Sequence, residues 1–309
     1  MNRNNEYWTD YWLNDGKGGE VFVDQDGVKP DYVREFWAIA LKDVKKDSKL
    51  LDIACGAGSI YEDLPSEQRA SLKLNASDMS QAALDILKTR LPEVDTFACN
   101  AQSTPFEDEE FDGLVSQFGI EYAGFDAFSE AMRILKPGGS FTFLCHVADG
   151  YIDQRNQGFL IGATTALTCG FIPTAKALIA ASFAESPAHL KEAKEAFKEA
   201  QEPLSDTFKE HPNGIHSHLY FGFREMYLKF GNYNQEDIIG WLDQMDVDIR
   251  KNIEKVSQIR KVSLDQGRLR MVEEKLNTAD LEFLNIEPFT VPDRPEDSVA
   301  WHISGKKRE

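Results

Sequence analysis

The chain has 309 residues, of which 42% are hydrophobic, and its formal net charge at pH 7 is −18. This length and apolar content suffice for one elaborated domain with a large core. The charge argues against a nucleic-acid partner, because binding to a phosphate backbone requires clustered Lys and Arg side chains. No hydrophobic segment follows Met1–Asn5, so we expect a cytoplasmic protein and no secretion signal.

The spacing of the four cysteines indicates whether disulfides or a zinc site should be expected. Cys55, Cys99, Cys145 and Cys169 do not form a CxxC pair, and three of them lie in or beside predicted strands. Buried thiols in a reducing compartment account for this pattern. The sequence therefore predicts neither a disulfide nor a zinc site.

An apolar strand followed by a glycine turn is the first functional signal. Leu50, Leu51 and Ile53 form the short apolar run that is typical of a buried parallel strand, and Gly56 and Gly58 follow it. Glycines at the carboxyl end of such a strand allow backbone to approach a ligand closely. The turn predicts a nucleotide-like ligand, with a ligand-free turn between strand and helix as the alternative.

A second predicted strand, at residues 72–77, ends at Asp78, where a carboxylate can accept both ribose hydroxyls. Ser80 then has the position of an N-cap for a helix that continues to Arg90. A nicotinamide-dependent oxidoreductase would use Asp78 in the same way, but its fingerprint needs a third small residue where this chain has Tyr61. That class is therefore kept as the weaker alternative.

Five further strands are predicted after the second one. A predicted helix at residues 127–135 ends at the turn Lys136–Gly139, where proline and glycine stop it. The carboxy-terminal two strands are joined by a turn at Pro292–Asp297. These later strands are predicted at residues 94–100, 111–117, 140–147, 280–291 and 299–306.

Five short motifs occur in a fixed order: Leu51–Gly58, Asp78-Met79, Asn100-Ala101 with Pro105-Phe106, Phe111–Val115 and Arg133–Gly139. Together they resemble those of the class I S-adenosylmethionine-dependent methyltransferases, in particular the small-molecule branch that includes the ubiquinone/menaquinone-biosynthesis type. The resemblance implies an α/β fold with a Rossmann-like seven-stranded methyltransferase sheet, in which strand 7 is antiparallel and a large helical insertion separates strands 5 and 6. It also implies S-adenosyl-L-methionine as cofactor and a small-molecule acceptor methylated at oxygen, nitrogen or carbon. A protein that binds the cofactor without turnover is a further alternative.

By the same resemblance, each strand end holds one part of the cofactor. Asp52 and the glycine turn would hold the methionine end, Asp78 the ribose, and Met79 one face of the adenine. The dipeptide Asn100-Ala101 would lie at the adenine amine, and Gln117 close to the methionine part. The cofactor-binding residues expected on this basis are Asp52, Ala54, Cys55, Gly56, Gly58, Asp78, Met79, Asn100, Ala101 and Gln117.

Two residues depart from the family pattern. Ala54 stands where the family usually has glycine, which narrows the turn by one methyl group. Asn100 replaces the usual aspartate with an amide that can still accept a hydrogen bond from the adenine amino group. Residues Ser116–Gly119 lack the Asn/Asp-Pro-Pro-aromatic motif, which by the same resemblance argues against adenine or glutamine as the methyl acceptor.

A long insertion, residues 151–280, separates the fifth strand from the carboxy-terminal strands. Its charge and apolar spacing predict helices at residues 188–201, 236–261 and 264–276. We expect a cap over the cofactor pocket that shapes the substrate cavity, with a homodimerisation appendage as the alternative. The predicted organisation is an N-terminal lid segment at 1–29, a core at 30–150 and 281–309, and this cap.

The most apolar part of the insertion is Phe159–Phe183. Its apolar run before Pro173 has only about a dozen residues, whereas a membrane-spanning helix needs about 20. We predict buried cap helices that line an apolar substrate cavity or a subunit interface, and no membrane span.

Candidate catalytic residues follow from the chemistry of methyl transfer, which needs alignment and, where the nucleophile loses a proton, a base. His146, at the end of the fifth strand, is the candidate base, because the ordinary pKa of histidine lies near neutrality. Glu121 is the second candidate, to orient an amine or hydroxyl, and Tyr122 is expected to wall the cavity. The alternatives are a histidine that only fixes the strand end and a glutamate that only caps a helix.

Aromatic and histidine clusters supply the remaining substrate candidates. Tyr11 and Trp12 end an aromatic segment that is expected to close over the cofactor, where a ring face gains cation–π attraction near a sulfonium, or else to anchor the terminus to the core. His216 and His218 lie in the insertion and are expected to contribute to the substrate cavity. No carboxylate or thiol accompanies them at a metal-ligand spacing, so no metal site is predicted.

Overall fold

The computed structural model describes Trp12, residues 31–184 and residues 186–309. The chain divides into two compact units. The first comprises the described residues up to Ile152 together with Val262–Glu309, and the second is Asp153–Lys261. Each unit has its own buried core.

A seven-stranded sheet with the order β3-β2-β1-β4-β5-β7-β6 organises the first unit. Strands β1 to β5 are parallel to one another, and β7 lies antiparallel between β5 and β6. This confirms the expected fold, including the inserted last strand. The strands are β1 Lys49–Ile53, β2 Lys73–Asp78, β3 Asp95–Ala98, β4 Phe111–Gln117, β5 Leu135–His146, β6 Leu281–Phe289 and β7 Ala300–Lys307.

Strand β1 shows why apolar residues are needed at the centre of the sheet. Leu50 belongs to one buried cluster, whereas Leu51 and Ile53 belong to the other. Because successive side chains of a strand point to opposite faces, both faces of β1 are covered. The central strand is thereby fixed in register between β2 and β4.

Helices cover both faces of this sheet. Ser80 is the N-cap predicted from the sequence, and its hydroxyl accepts a hydrogen bond from the Ala83 N–H. Gly58 begins the preceding helix with a φ of +83°, and a Cβ there would lie 2.2 Å from Cδ1 of Leu87. The helices are α1 Tyr32–Ala40, α2 Ser59–Asp63, α3 Ser66–Ala70, α4 Gln81–Arg90, α5 Ile120–Ala123 and α6 Asp126–Ile134.

The turn predicted at Lys136–Gly139 is wrong, because β5 already begins at Leu135. Phe111 pairs with Leu135 and Gly113 pairs with Ser140, so four residues of β5 face one residue of β4. Gly138, with a φ of +73°, accommodates this irregularity. Proline and glycine therefore mark an excursion within a strand pair here, and the helix α6 ends one residue before it.

The second unit is helical, as predicted. Its core contains Phe171, Leu204, Phe223, Leu242 and Ile249, all of which are fully buried or nearly so. The helices are α7 Tyr151–Thr168, α8 Phe171–Phe183, α9 Pro187–Glu210, α10 Ile215–Leu228 and α11 Gln235–Val262, with a short 3-10 helix at Phe230–Asn232.

The compact helical unit is shorter than the predicted insertion of residues 151–280. The next helix, α12 (Gln266–Leu276), belongs to the first unit. Its Leu269, Val272 and Leu276 are buried in the same cluster as Phe128. Because this apolar face is covered by the first unit, the boundary lies at Lys261 and not at residue 280.

No single helix of the described chain has both the length and the apolar composition needed to cross a membrane. The helices α7 and α8 satisfy that criterion only when taken as a pair, and the pair is bent by 46°.

Candidate functional site

A pocket lies at the carboxyl ends of β1 to β4 in the first unit, which is where open α/β sheets bind ligands. Each of these strands, or the residues that directly follow it, contributes to the wall. The lining residues are Trp12, Ala54, Gly56, Ser77, Asp78, Met79, Cys99, Asn100, Ala101, Gln102, Phe118, Gly119, Tyr122 and Ala123.

The turn after β1 is held in a left-handed conformation at two residues. Ala54 and Gly56 each have a φ of +53°, which for a side-chain-bearing residue costs about 1–2 kcal/mol. A Cβ on Gly119 would lie 3.0 Å from the Ala54 methyl group. The absence of a side chain at position 119 therefore leaves room for the methyl group by which this turn departs from the family pattern.

Gly56 meets two partners that leave no space for a side chain. Its N–H donates to Oδ2 of Asp78 over 2.9 Å, and a Cβ would lie 2.4 Å from Cζ2 of Trp12. The structure thus places the predicted aromatic residue Trp12 directly against the glycine turn. Tyr11, its predicted companion, lies outside the described residues.

Asp78 has a fixed orientation at the end of β2. Its Oδ1 accepts from the Ser80 N–H over 2.8 Å, and its Oδ2 accepts from Gly56. Burial raises the pKa of Asp78, although hydrogen bonds from the backbone of Ser80, Gly56 and Met79 oppose this effect. Since each carboxylate oxygen keeps a further lone pair, Asp78 can still accept hydrogen bonds from a ligand in the pocket.

Asp52 is a buried carboxyl group with no hydrogen bond to any part of the chain that the structure describes. Its side chain is 1% exposed, and neither oxygen has a partner there. Burial, and then the negative charge of Asp78, raise the pKa of Asp52 well above its ordinary value. An unpaired buried carboxylate is unfavourable, and a cationic ligand group would stabilise it.

We expect the substitution Asp52→Asn to stabilise the ligand-free protein increasingly as the pH rises. The folded chain holds the Asp52 proton more tightly than the unfolded chain, so the wild-type free energy of unfolding falls as the pH rises above the ordinary aspartate pKa of about 4. The asparagine side chain does not titrate, so the variant lacks this contribution to the pH dependence. The variant's advantage should grow by up to about 1.4 kcal/mol per pH unit until the raised pKa is passed. Urea unfolding at pH 5 and pH 8 measures it, and parallel pH profiles of the two proteins would contradict the assignment.

The side chain of Asn100 provides an amide oxygen that can accept a hydrogen bond. Its Oδ1 accepts from the Gln102 N–H over 3.0 Å, which fixes the side chain in a turn after β3. An amide oxygen has two lone pairs, so one remains for a ligand. Met79 and Ala101 also line the pocket.

Four predicted cofactor residues, Asp52, Cys55, Gly58 and Gln117, do not line the pocket. Cys55 is buried, and Gly58 provides the space into which Leu87 packs. The amide oxygen of Gln117 accepts from Trp37 Nε1 over 2.5 Å, and its Nε2 donates to Ser59 Oγ over 3.3 Å. These four residues belong to the turn or to the strands β1 and β4 beside it, but they do not form the pocket wall.

Six lining residues were not predicted: Ser77, Cys99, Gln102, Phe118, Gly119 and Ala123. Five of them lie at or shortly beyond the carboxyl end of β2, β3 or β4, and Ala123 is the last residue of helix α5. Position alone was the available signal, because parallel strands bring their carboxyl ends to one edge of the sheet.

His146 and Glu121, the two predicted catalytic residues, form a buried pair. Oε1 of Glu121 accepts from the His146 backbone N–H over 2.9 Å and lies 2.7 Å from Nδ1 of the same residue. Both side chains are nearly inaccessible to solvent. When Glu121 is ionised, this geometry places the imidazole proton on Nδ1 and leaves Nε2 as the basic nitrogen.

Two aromatic rings that line the pocket also pack against His146. The centroid of the His146 ring is 4.6 Å from that of Phe118 and 5.7 Å from that of Tyr122. Phe118 and Tyr122 line the pocket, whereas His146 and Glu121 do not. The position of Tyr122 agrees with the wall that the sequence predicts.

The two histidines expected at a substrate cavity are not brought together. His216 is fully buried inside the second unit, where its Nε2 lies 2.8 Å from the His211 carbonyl oxygen and burial lowers its pKa. A Cβ on Gly162 would lie 2.2 Å from its Nδ1, so the ring packs directly on helix α7. His218 is exposed and lies against Trp241 instead.

Comparisons with known proteins concern the part of the chain that builds this pocket. Residues 51–143 match the family described as a methyltransferase domain. The ubiquinone/menaquinone biosynthesis C-methyltransferase UbiE of Bartonella bacilliformis is 34% identical over 104 residues, which are 31% of this chain and 40% of that protein. A demethylmenaquinone methyltransferase of Paenarthrobacter aurescens is 35% identical over 99 residues, or 31% and 38% of the two chains. The chain thus covers about two fifths of the length of these curated relatives.

Proposed function

We propose that this chain is a class I S-adenosylmethionine-dependent methyltransferase that binds S-adenosylmethionine and transfers its methyl group to a small-molecule acceptor. The match of residues 51–143 to the methyltransferase-domain family supports this proposal. The by-product is S-adenosylhomocysteine. The curated relatives, which are named as methyltransferases of quinone biosynthesis, support this class of acceptor.

The observation that carries the proposal is the presence of two acidic side chains at one glycine turn. Asp52 is buried next to the turn, and its carboxyl group has no hydrogen-bond partner in the described chain. Asp78 accepts a hydrogen bond from the N–H of Gly56, which is part of the turn. A phosphate group at this turn would lie beside two acidic side chains and would find no lysine or arginine among the described residues that line the pocket, whereas the ammonium and sulfonium groups of S-adenosylmethionine are cations. Charge complementarity therefore favours this cofactor over a dinucleotide.

Tyr61 argues against the nicotinamide alternative on separate grounds. Its side chain is fully buried, and its hydroxyl donates to the Asn75 carbonyl oxygen over 2.9 Å. The dinucleotide fingerprint needs a small residue here so that helix and strand can approach closely. In this chain an entire phenol ring occupies that space.

For methyl transfer, the protein mainly has to align the acceptor with the methyl group and exclude water. S-adenosylmethionine supplies a methyl group on a positively charged sulfur, which a nucleophile can displace directly. Asp78 and Gly56 fix each other and would orient the ribose, and Phe118 and Tyr122 would present a dry wall to the acceptor.

We assign proton removal to His146, where the acceptor is a hydroxyl or an amine. Its Nε2 is the basic nitrogen, and Glu121 holds the ring and stabilises the imidazolium that forms. Because His146 does not line the pocket, proton transfer requires the rings that pack against it, Phe118 or Tyr122, to move.

Acceptor selection belongs to residues outside the matched segment of 51–143. We propose that the helical unit Asp153–Lys261 serves as a cap for this purpose, and that residues 1–29 serve as a lid. Homodimerisation through the helical unit is the alternative use of the same residues.

Titration calorimetry with S-adenosylhomocysteine and with NADH tests the cofactor assignment. The proposal predicts saturable heat with S-adenosylhomocysteine and none with NADH at the same concentrations. Binding of NADH alone would place the chain among the nicotinamide-dependent oxidoreductases. No heat with either ligand would overturn the assignment of the pocket.

A further inference from the structure

A second cavity lies entirely within the helical unit. It has a volume of about 340 Å³ and is lined by helices α8, α9 and α10. Small-molecule sites usually fall between about 300 and 1,000 Å³, so this space can hold a ligand of modest size. None of its lining residues belongs to the methyltransferase segment.

Each helix contributes one face to this cavity. Helix α9 presents Lys194, Phe197 and Gln201, which are three and four residues apart in turn. Helix α10 presents Tyr220 and Arg224 one helical turn apart, together with further aromatic residues on the same stripe. Because residues at these spacings share one side of a helix, the two stripes face a common space.

The inner part of the cavity is aromatic. Phe171 and Phe223 are almost completely buried. The Phe197 ring lies 5.0 Å from Phe171 and 5.1 Å from Phe223, measured between centroids. Such a surface favours an apolar body and cannot satisfy a polar one.

The rim, in contrast, carries hydrogen-bond donors from two helices. Lys194 and Arg224 are exposed, and within the described chain neither makes a hydrogen bond or an ion pair. Several other cations of this unit are paired, as Lys176 is with Asp243 and Lys229 with Glu225.

No carboxylate lines the cavity, although the chain as a whole has a net charge of −18. The hydroxyls of Tyr220 and Tyr227 have no hydrogen-bond partner within the described chain, which adds two further donors at the same place. A cationic rim above an aromatic interior is complementary to an amphipathic anion.

We propose that this cavity binds an apolar molecule bearing a carboxylate. The apolar body lies against Phe171, Phe197 and Phe223, and the carboxylate is held by Lys194 and Arg224. Arginine is suited to bidentate contact with a carboxylate, and lysine adds a second positive charge. The site does not depend on the proposed methyltransferase function, since every group that forms it lies in Asp153–Lys261.

Calorimetry with dodecanoate below its critical micelle concentration tests the proposal on the full chain. The double variant Lys194→Ala/Arg224→Ala should bind dodecanoate at least about tenfold more weakly than the wild type, because a charged hydrogen bond is worth about 1.5–3 kcal/mol. The matched control Lys191→Ala/Lys198→Ala removes two exposed cations of α9 that do not line the cavity. It should bind dodecanoate as the wild type does.

A charge-reversed ligand provides the second arm. Dodecyltrimethylammonium has the same chain length, and we expect it to bind at least about tenfold more weakly than dodecanoate. A strongly acidic protein that takes up amphiphiles without a specific site should show the opposite preference. Equal losses in both double variants, equal or tighter binding of the cationic amphiphile, or no binding of dodecanoate would each overturn the proposal. Asp78→Ala should leave dodecanoate binding unchanged, which separates this cavity from the cofactor pocket.

Discussion

Replacing Asp78 by alanine should weaken the binding of S-adenosylhomocysteine by at least about 100-fold. The carboxylate fixes the backbone N–H groups of Gly56 and Ser80 and would accept the ribose hydroxyls. A hydrogen bond to a charged group contributes about 1.5–3 kcal/mol, so the loss of two such bonds already accounts for this factor. Calorimetric titration of folded wild-type and variant protein measures the dissociation constants.

Two further variants make this result specific. Asp85→Ala removes an exposed carboxylate from helix α4 and should leave the dissociation constant unchanged. Asp78→Asn keeps the size of the side chain but turns an amide NH2 group, which is a donor, toward a backbone N–H. The Asp78→Asn protein should therefore bind S-adenosylhomocysteine nearly as weakly as Asp78→Ala does. An Asp78→Ala protein that binds S-adenosylhomocysteine like the wild type would contradict the assigned role.

The second large effect concerns turnover and not binding. His146→Gln should lower kcat by about 100-fold or more, the usual contribution of a positioned general base, for an acceptor that must lose a proton. The dissociation constant for S-adenosylhomocysteine should stay the same, because His146 does not line the cofactor pocket. Single-turnover rates with saturating cofactor, together with calorimetry, separate the two quantities.

A second histidine–glutamate pair offers a matched control. In the sheet, Nδ1 of His302 lies 3.0 Å from Glu287, away from the pocket lining. His302→Gln should leave kcat unchanged, whereas Glu121→Gln should lower it in the same direction as His146→Gln. If His146→Gln lowers only the melting temperature and leaves kcat intact, the imidazole ring only fixes the end of β5 and takes no part in proton transfer.

The parallel core was predictable because its signals are local. Strand β4 spans the predicted residues Phe111–Gln117, and Ser80 caps its helix as expected. Both depend on neighbouring residues: an apolar run, and a hydroxyl three residues before a free N–H. The antiparallel last strand came from the family resemblance and not from such a local pattern.

The remaining features depend on contacts between distant residues. The sequence places His146 and Glu121 25 positions apart, and nothing in their spacing indicates that one carboxylate oxygen meets both the backbone and the ring of the histidine. Helix α12 has an amphipathic pattern that would suit either unit, and only the packing of Leu269 and Val272 assigns it to the first. His216 and His218 lie two residues apart, so they face different sides of their helix.

The irregularity in β5 has a similar origin. Proline and glycine at Lys136–Gly139 ordinarily end an element, and they do end helix α6. Leu135, which precedes these residues, already pairs with Phe111 of β4. No local rule predicts this pairing. Pairing partners, and not residue preferences, decided the outcome here.

Methyl transfer from labelled S-adenosylmethionine tests the central claim most directly. The full chain is incubated with the methyl-labelled cofactor and a metabolite extract, and small-molecule products are identified by mass spectrometry. We predict a small-molecule product that carries the label, formed together with an equal amount of S-adenosylhomocysteine and lost in Asp78→Ala. Tight binding of the cofactor with no labelled product from any fraction of the extract would contradict the claim and would identify the chain as a binding module.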